Sequence, residues 1–134
     1  MPRQRRRLGR LVAGPAAAFG FAVAATVTPA RADDAALGAK LFQAQCAVCH
    51  TTIPEYHKEG PSLAGVYGRR AGTAPFFTGY KSLKGSSVVW NDQTLDAWLA
   101  DPRTFGDGKD TKMTVKIDDL AQRAALISYL RTLR

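Results

Sequence analysis

Two cysteines and a histidine, spaced Cys46-Ala47-Val48-Cys49-His50, constrain this chain more than any other feature. Thiols at that spacing reach the two vinyl groups of one porphyrin and form thioethers, and the adjacent histidine is then held where a ring nitrogen meets the iron. The pattern therefore predicts one haem c attached covalently through Cys46 and Cys49, with His50 as an axial ligand. The same residues have other uses. A thioredoxin-like pair opens a helix within a βαβ pattern, which is absent here. A zinc site needs four ligands, and Cys46, Cys49, His50 and His57 are numerically sufficient. Two cysteines in an exported chain are otherwise paired as a disulfide.

The first 32 residues read as an export signal. Met1 to Arg10 carries Arg3, Arg5, Arg6, Arg7 and Arg10 and no acid, and Leu11 to Val27 is apolar and rich in small residues. Ala30-Arg31-Ala32 supplies a small-x-small cleavage signature, so residues 1–32 are expected to be a secretory signal peptide and 33–134 the functional domain. An uncleaved anchor is the alternative. The apolar stretch is interrupted by Gly14, Pro15 and Gly20 and is shorter than the roughly 20 residues of a membrane span.

Removing that leader changes the meaning of the charge. The whole chain has 19 basic and 11 acidic side chains, a formal +8. The leader holds six arginines and no acid, which leaves 13 against 11, or +2, from Asp33 onward. An isoelectric point near 9.9 would suggest nucleic acid or an anionic membrane as partner. That inference fails, because most of the excess is discarded on export.

Beyond the leader the pattern is helical at both ends and irregular between. Ala35 to Cys46 reads as a helix with Leu37, Leu41 and Phe42 on one stripe. Thr51 to Ser87 is rich in Gly and Pro, which predicts a long loop wrapped around something. Asn91 or Asp92 caps a short helix through Thr94, Leu95, Trp98 and Leu99, stopped by Pro102. Phe105 to Lys112 is a polar turn. Asp118 or Asp119 caps the last helix, where Leu120, Ala124, Ile127 and Leu130 recur at helical spacing. Val88-Val89-Trp90 is too short to build a sheet. The outline is all-α with large loops.

A second axial ligand must come from elsewhere. Met113 is the one methionine after the leader, and it lies in a loop rather than on an apolar helix face. A thioether is a soft, neutral ligand that favours Fe(II). His57 is the rival, but its short link to His50 leaves little chain to round the haem edge.

With these residues in place the chain resembles the class I cytochromes c, the group of mitochondrial cytochrome c and bacterial cytochrome c2, over essentially everything after the leader. Gly38 and Phe42 match the family's first-helix pair, and Leu126 and Tyr129 match their last-helix partners. Gly60-Pro61-Ser62-Leu63 matches Gly-Pro-x-Leu, and His57-Lys58-Glu59-Gly60-Pro61 matches His-Lys-x-Gly-Pro. Gly68-Arg69, Tyr80, Trp90 and Thr111-Lys112-Met113 match further motifs. The resemblance implies a small fold of three to five helices around one haem, with the first and last helices crossing. It implies that His50 and Met113 bind iron on opposite faces and that the Pro61 carbonyl fixes the His50 tautomer. Arg69, Tyr80 and Trp90 are then expected at the haem propionates, and His57 is expected to tie two loops together.

Three departures carry expectations of their own. Asp110-Thr111-Lys112-Met113 lacks the Pro and Gly that the family has before its methionine, and the stretch from Pro102 to Met113 is longer, which predicts a looser ligand loop. Tyr80 to Trp90 is shorter than in the family. The basic ring around the haem edge is thin: Gln45 precedes Cys46, Asp118-Asp119 stands where mitochondrial proteins carry lysines, and Lys40, Lys58, Arg103, Lys112 and Lys116 remain.

The function implied is that of a soluble periplasmic monomer, not an enzyme, that passes single electrons between redox proteins such as a membrane cytochrome complex, an oxidase, a reaction centre or a dehydrogenase. Nucleic acid is not expected as a partner, nor stable membrane insertion after cleavage. The alternatives are a haem subunit or dedicated acceptor of one dehydrogenase, and a ligand-binding haem protein if Met113 does not hold the iron.

Overall fold

The computed structural model describes residues 30–134, so residues 1–29 of the expected leader, 1–32, lie outside the described residues. Three α-helices are present among them: α1 at Ala30–Gln45, α2 at Asp92–Ala100 and α3 at Leu120–Leu130. One 3₁₀ turn, Gly108–Asp110, sits between α2 and α3. The only extended pairing among the described residues is a single antiparallel bridge between Arg70 and Val89. None of the described helices is long and apolar enough to cross a membrane.

The caps follow from side-chain chemistry at the helix starts. The Asn91 side chain accepts from Thr94 N while the Asn91 N–H donates to the Thr94 hydroxyl, a reciprocal capping box that satisfies two otherwise orphaned donors. The Asp119 carboxylate accepts from Gln122 N and opens α3. Helix α1 begins at Ala30, five residues before the expected start.

Helix α3 lies mainly on α1 and touches α2 more lightly. The α1–α3 crossing is close because Gly38 has no side chain: a Cβ there would stand 2.0 Å from the Ala125 carbonyl oxygen and 2.7 Å from Tyr129 Cβ. One turn along α1, Phe42 is 2% exposed and tilts against Tyr129 with ring centroids 5.6 Å apart. Leu126, at 1% exposed, completes the contact. Burying such a side chain contributes roughly 1.5–3 kcal/mol.

The expected stripes hold in part: Phe42, Ile127 and Leu130 are buried, but Leu37, Leu120 and Ala124 face solvent, and α3 also buries Arg123, Ala125 and Leu126. The reason is the Gly38 crossing, which turns the Ala125–Leu126 side of α3 inward. Arg123 is tolerated inside because its guanidinium finds acceptors there. It bonds Asp96 at 2.6 Å and the carbonyls of Ile117 and Asp118 at 2.8 and 2.9 Å.

From Thr51 to Ser87 the chain contains no helix, and its backbone bonds run between loops. Gly60 N donates to Cys49 O, Leu63 N to Thr51 O, and Gly68 N to Trp90 O. His57 is a knot in this region: Ser62 N donates to its Nδ1 at 3.0 Å, and its Nε2 reaches the Pro75 carbonyl at 2.8 Å. Both ring nitrogens are thereby occupied, which removes His57 from any set of zinc ligands.

Candidate functional site

The loops and helices enclose a cavity of about 320 Å³. All eight residues expected at the site line it: Cys46, Cys49, His50, Pro61, Arg69, Tyr80, Trp90 and Met113. Its walls are otherwise mostly aliphatic and aromatic, with Phe42, Leu95, Leu99 and Leu126 among them. An apolar cleft with a few convergent polar groups suits a large flat ligand.

The cysteine end is built by the last turn of α1. Helical bonding continues past Gln45, with Cys46 N donating to Phe42 O and His50 N to Cys46 O, so both cysteines and the histidine hang from one tight turn. Both cysteines are free thiols, Cys46 buried and Cys49 half-buried. Burial, reinforced by the neighbouring Cys49, pushes the Cys46 thiol up to about 11.

His50 is oriented by its own loop. Its Nδ1 lies 2.7 Å from the Pro61 carbonyl oxygen, which can only accept, so Nδ1 carries the hydrogen and Nε2 keeps its lone pair. Burial holds the imidazole below its ordinary value, against a smaller opposing effect of the Pro61 bond, which favours the neutral ring a metal needs. Gly60 packs flat on that ring, since a Cβ there would sit 2.4 Å from His50 Cε1.

The cavity wall also carries cationic and donor groups. Arg69 donates to the carbonyls of Ala64 at 2.8 Å and Ser62 at 3.3 Å, and burial lowers its pKa, partly offset by Tyr80. The Tyr80 hydroxyl accepts from Ala74 N at 3.0 Å, which leaves its own hydrogen free to donate. Trp90 is 7% exposed, and its backbone N–H is held by Arg69 O. A half-buried guanidinium next to a phenol is a poor place to leave without an anion, and haem propionates are anions of the right kind.

Met113 is more firmly held than the missing Pro and Gly predicted. Trp98 Nε1 donates to Met113 Sδ at 3.2 Å, and Met113 N donates to the Thr111 hydroxyl at 3.1 Å. The loop before it is a 3₁₀ turn packed against Pro102, just past the end of α2, where a Cβ on Gly108 would fall 1.8 Å from Pro102 O. Asp107 anchors the same loop by accepting from Leu83 N at 2.8 Å. Tertiary bonds replace the stiffness that Pro would have supplied locally.

Trp98 is the site residue that sequence reasoning missed, having been assigned only to the α2 stripe. A buried indole N–H needs an acceptor, and that rule was the available signal. Its ring also sits 5.6 Å from Trp90 and 5.9 Å from Phe105, which makes an aromatic wall behind the methionine.

The arrangement suits a haem fixed by two thioethers. Among the described residues no three His, Cys, Asp or Glu side chains converge as a metal site of their own.

Comparison with known proteins gives the same picture. The cytochrome c family profile matches residues 35–134. Cytochrome c of Euglena viridis is 35% identical over 102 residues, covering 75% of this chain and 98% of that protein. Cytochrome c2 of Blastochloris viridis is 36% identical over 113 residues, covering 83% and 87%. The solved structure of cytochrome c2 from Rhodospirillum centenum matches with a TM-score of 0.64 at 32% identity, over 75% of this chain and 98% of that one. Ferricytochrome c2 from Rhodopseudomonas palustris matches with a TM-score of 0.62 at 35% identity, over 75% and 99%.

Proposed function

This chain belongs to the cytochrome c family, and from that premise we propose that it is an exported, monomeric, single-haem carrier working in the periplasm. The family's proteins carry electrons rather than catalyse reactions, and Cys46 and Cys49 hold one haem c covalently. That group supplies a one-electron Fe(II)/Fe(III) couple within the cleft. His50 Nε2 and Met113 Sδ would hold its iron, which would leave no coordination site for a substrate.

The observation that carries this reading is the Trp98–Met113 bond in a cavity that also holds Cys46, Cys49 and His50. A methionine aimed by a hydrogen bond and a seated loop suits a permanent ligand better than a displaceable one. Pro61 fixes the His50 tautomer, and Arg69, Tyr80 and Trp90 serve the propionates, which keeps that buried charge compensated. The aliphatic walls exclude water, so little reorganisation accompanies a change of charge.

The leader supports export, with cleavage after Ala32, and relatives of both the cytochrome c2 and the cytochrome c type are consistent with a partner among membrane or soluble redox proteins. Service to one dedicated dehydrogenase is a second reading, favoured by the thin basic ring. Co-purification from native membranes separates the two.

The test is an absorption spectrum of protein exported together with a haem-maturation system. A covalent haem spectrum is expected, with the weak band at the near-infrared edge that reports sulfur on ferric iron. Met113→Ala removes that band. Its persistence would mean that another group is the ligand.

A further inference from the structure

We infer that Asp107 is a positioning residue for Met113: its side chain ties the ligand loop to the cavity wall formed by Tyr80 to Leu83, and so resists displacement of the methionine. The inference rests on the carrier reading above, in which Met113 is an axial ligand.

Asp107 immediately precedes the 3₁₀ turn Gly108–Asp110, a place where an aspartate ordinarily caps the donors of its own turn. Its side chain makes no such cap. It reaches instead to a residue 24 positions away and accepts from Leu83 N at 2.8 Å. Its two neighbours place it there. Gly106 is left-handed at φ 54°, and the missing side chain of Gly108 lets the turn close on Pro102 O.

Leu83 needs such a partner. It is 5% exposed, lines the cavity and is held at φ 63°, a left-handed conformation that leucine rarely adopts. Its carbonyl is fixed from two sides: Ser86 N donates to it at 3.1 Å, and a Cβ on Gly72 would stand 2.2 Å from it. A buried amide without an acceptor is costly, and Asp107 supplies the acceptor. Tyr80, Lys81 and Ser82, just before it, line the same cavity.

Two further bonds pass the anchor on to Met113. Thr111 N donates to Gly108 O at 2.8 Å, and Met113 N donates to the Thr111 hydroxyl at 3.1 Å. Withdrawing Met113 from an axial position therefore pulls on a bonded track that ends at Leu83. Trp98 aims the sulfur, whereas Asp107 fixes the loop from which it hangs. The two events are linked in both directions: loss of the Asp107–Leu83 bond eases displacement of Met113, and displacement of Met113 weakens that bond.

The test follows imidazole binding to the ferric, haem-loaded protein through loss of the weak sulfur-to-iron band. Asp107→Ala should bind imidazole roughly three- to tenfold more tightly, the effect of losing one partly exposed hydrogen bond. Asp107→Asn keeps an oxygen acceptor and should recover most of the difference. Asp119→Ala, which loses the cap of α3 instead, should lower the urea midpoint while leaving imidazole affinity within about twofold of the parent. Amide hydrogen exchange reads the reverse direction: saturating imidazole should speed exchange at Leu83 in the parent and change it little in Asp107→Ala. Parent-like imidazole affinity in Asp107→Ala overturns the proposal. So does an Asp107→Asn protein that binds like Asp107→Ala, or equal tightening in Asp119→Ala. A parent protein without the sulfur band overturns the carrier reading itself.

Discussion

The indole N–H of Trp98 donates to the thioether sulfur of Met113 at 3.2 Å, joining the inner face of α2 to the loop that precedes α3. A hydrogen bond to that sulfur draws electron density from it, which disfavours the ferric more than the ferrous state of a bound iron. Trp98→Phe should therefore lower the midpoint potential by tens of millivolts, on the order of 1 kcal/mol for one electron. Voltammetry of the variant beside the parent checks it. An unchanged potential would remove Trp98 from the site.

The α1–α3 crossing leaves no room for a side chain at Gly38. Gly38→Ala places a methyl 2.0 Å from the Ala125 carbonyl and must push the helices apart. Overpacking of this kind costs about 1–3 kcal/mol, with backbone as the immovable neighbour favouring the upper end. Urea unfolding followed by far-ultraviolet dichroism gives the shift in midpoint.

The Lys116–Asp101 pair has a defined pH window. The hydrogen bond from Lys116 holds the Asp101 carboxyl below its ordinary 3.8, and the same bond raises the Lys116 ammonium above its ordinary 10.5. A depressed carboxyl contributes stability above its unfolded value and loses it as pH falls through the folded one. A raised ammonium contributes below its unfolded value and loses it as pH rises through the folded one. Asp101→Asn should thus lower the unfolding midpoint slightly at pH 7 and leave it unchanged in strong acid, where the parent's carboxyl is protonated. A deficit that persists in acid would assign the effect to the side chain's bonds to Arg103 N instead.

Before haem is attached, the two thiols should differ. Cys46 is buried with its thiol near 11, whereas Cys49 is half-buried. Because the thiolate is the reactive form, iodoacetamide at pH 8 should label Cys49 first and Cys46 slowly. Mass spectrometry of the haem-free chain resolves the order, and neither residue should react once the haem is attached.

Much of this was legible in the sequence where local chemistry decides the outcome. Asn91 and Asp119 announce their helix starts because a side-chain acceptor before an apolar run satisfies orphaned backbone donors. The Cys46, Cys49 and His50 spacing and the family motifs led to residues that the fold gathers on one cavity. What was misjudged depends on how elements meet. Leu37, Leu120 and Ala124 fit a helical period, but the crossing at Gly38 selects which side of each helix is covered. The burial of Arg123 has no local signal, because it depends on the Ile117 and Asp118 carbonyls and on Asp96 of another helix. The ligand loop looked loose because its restraints, Trp98, Leu83 and Pro102, are distant in sequence.

The most direct test of a closed, six-coordinate carrier is a carbon monoxide titration of the ferrous protein at neutral pH, followed by absorption. With His50 and Met113 both on the iron, the spectrum should stay essentially unchanged, and Met113→Ala should bind the gas readily. Ready binding by the unaltered protein would contradict the account.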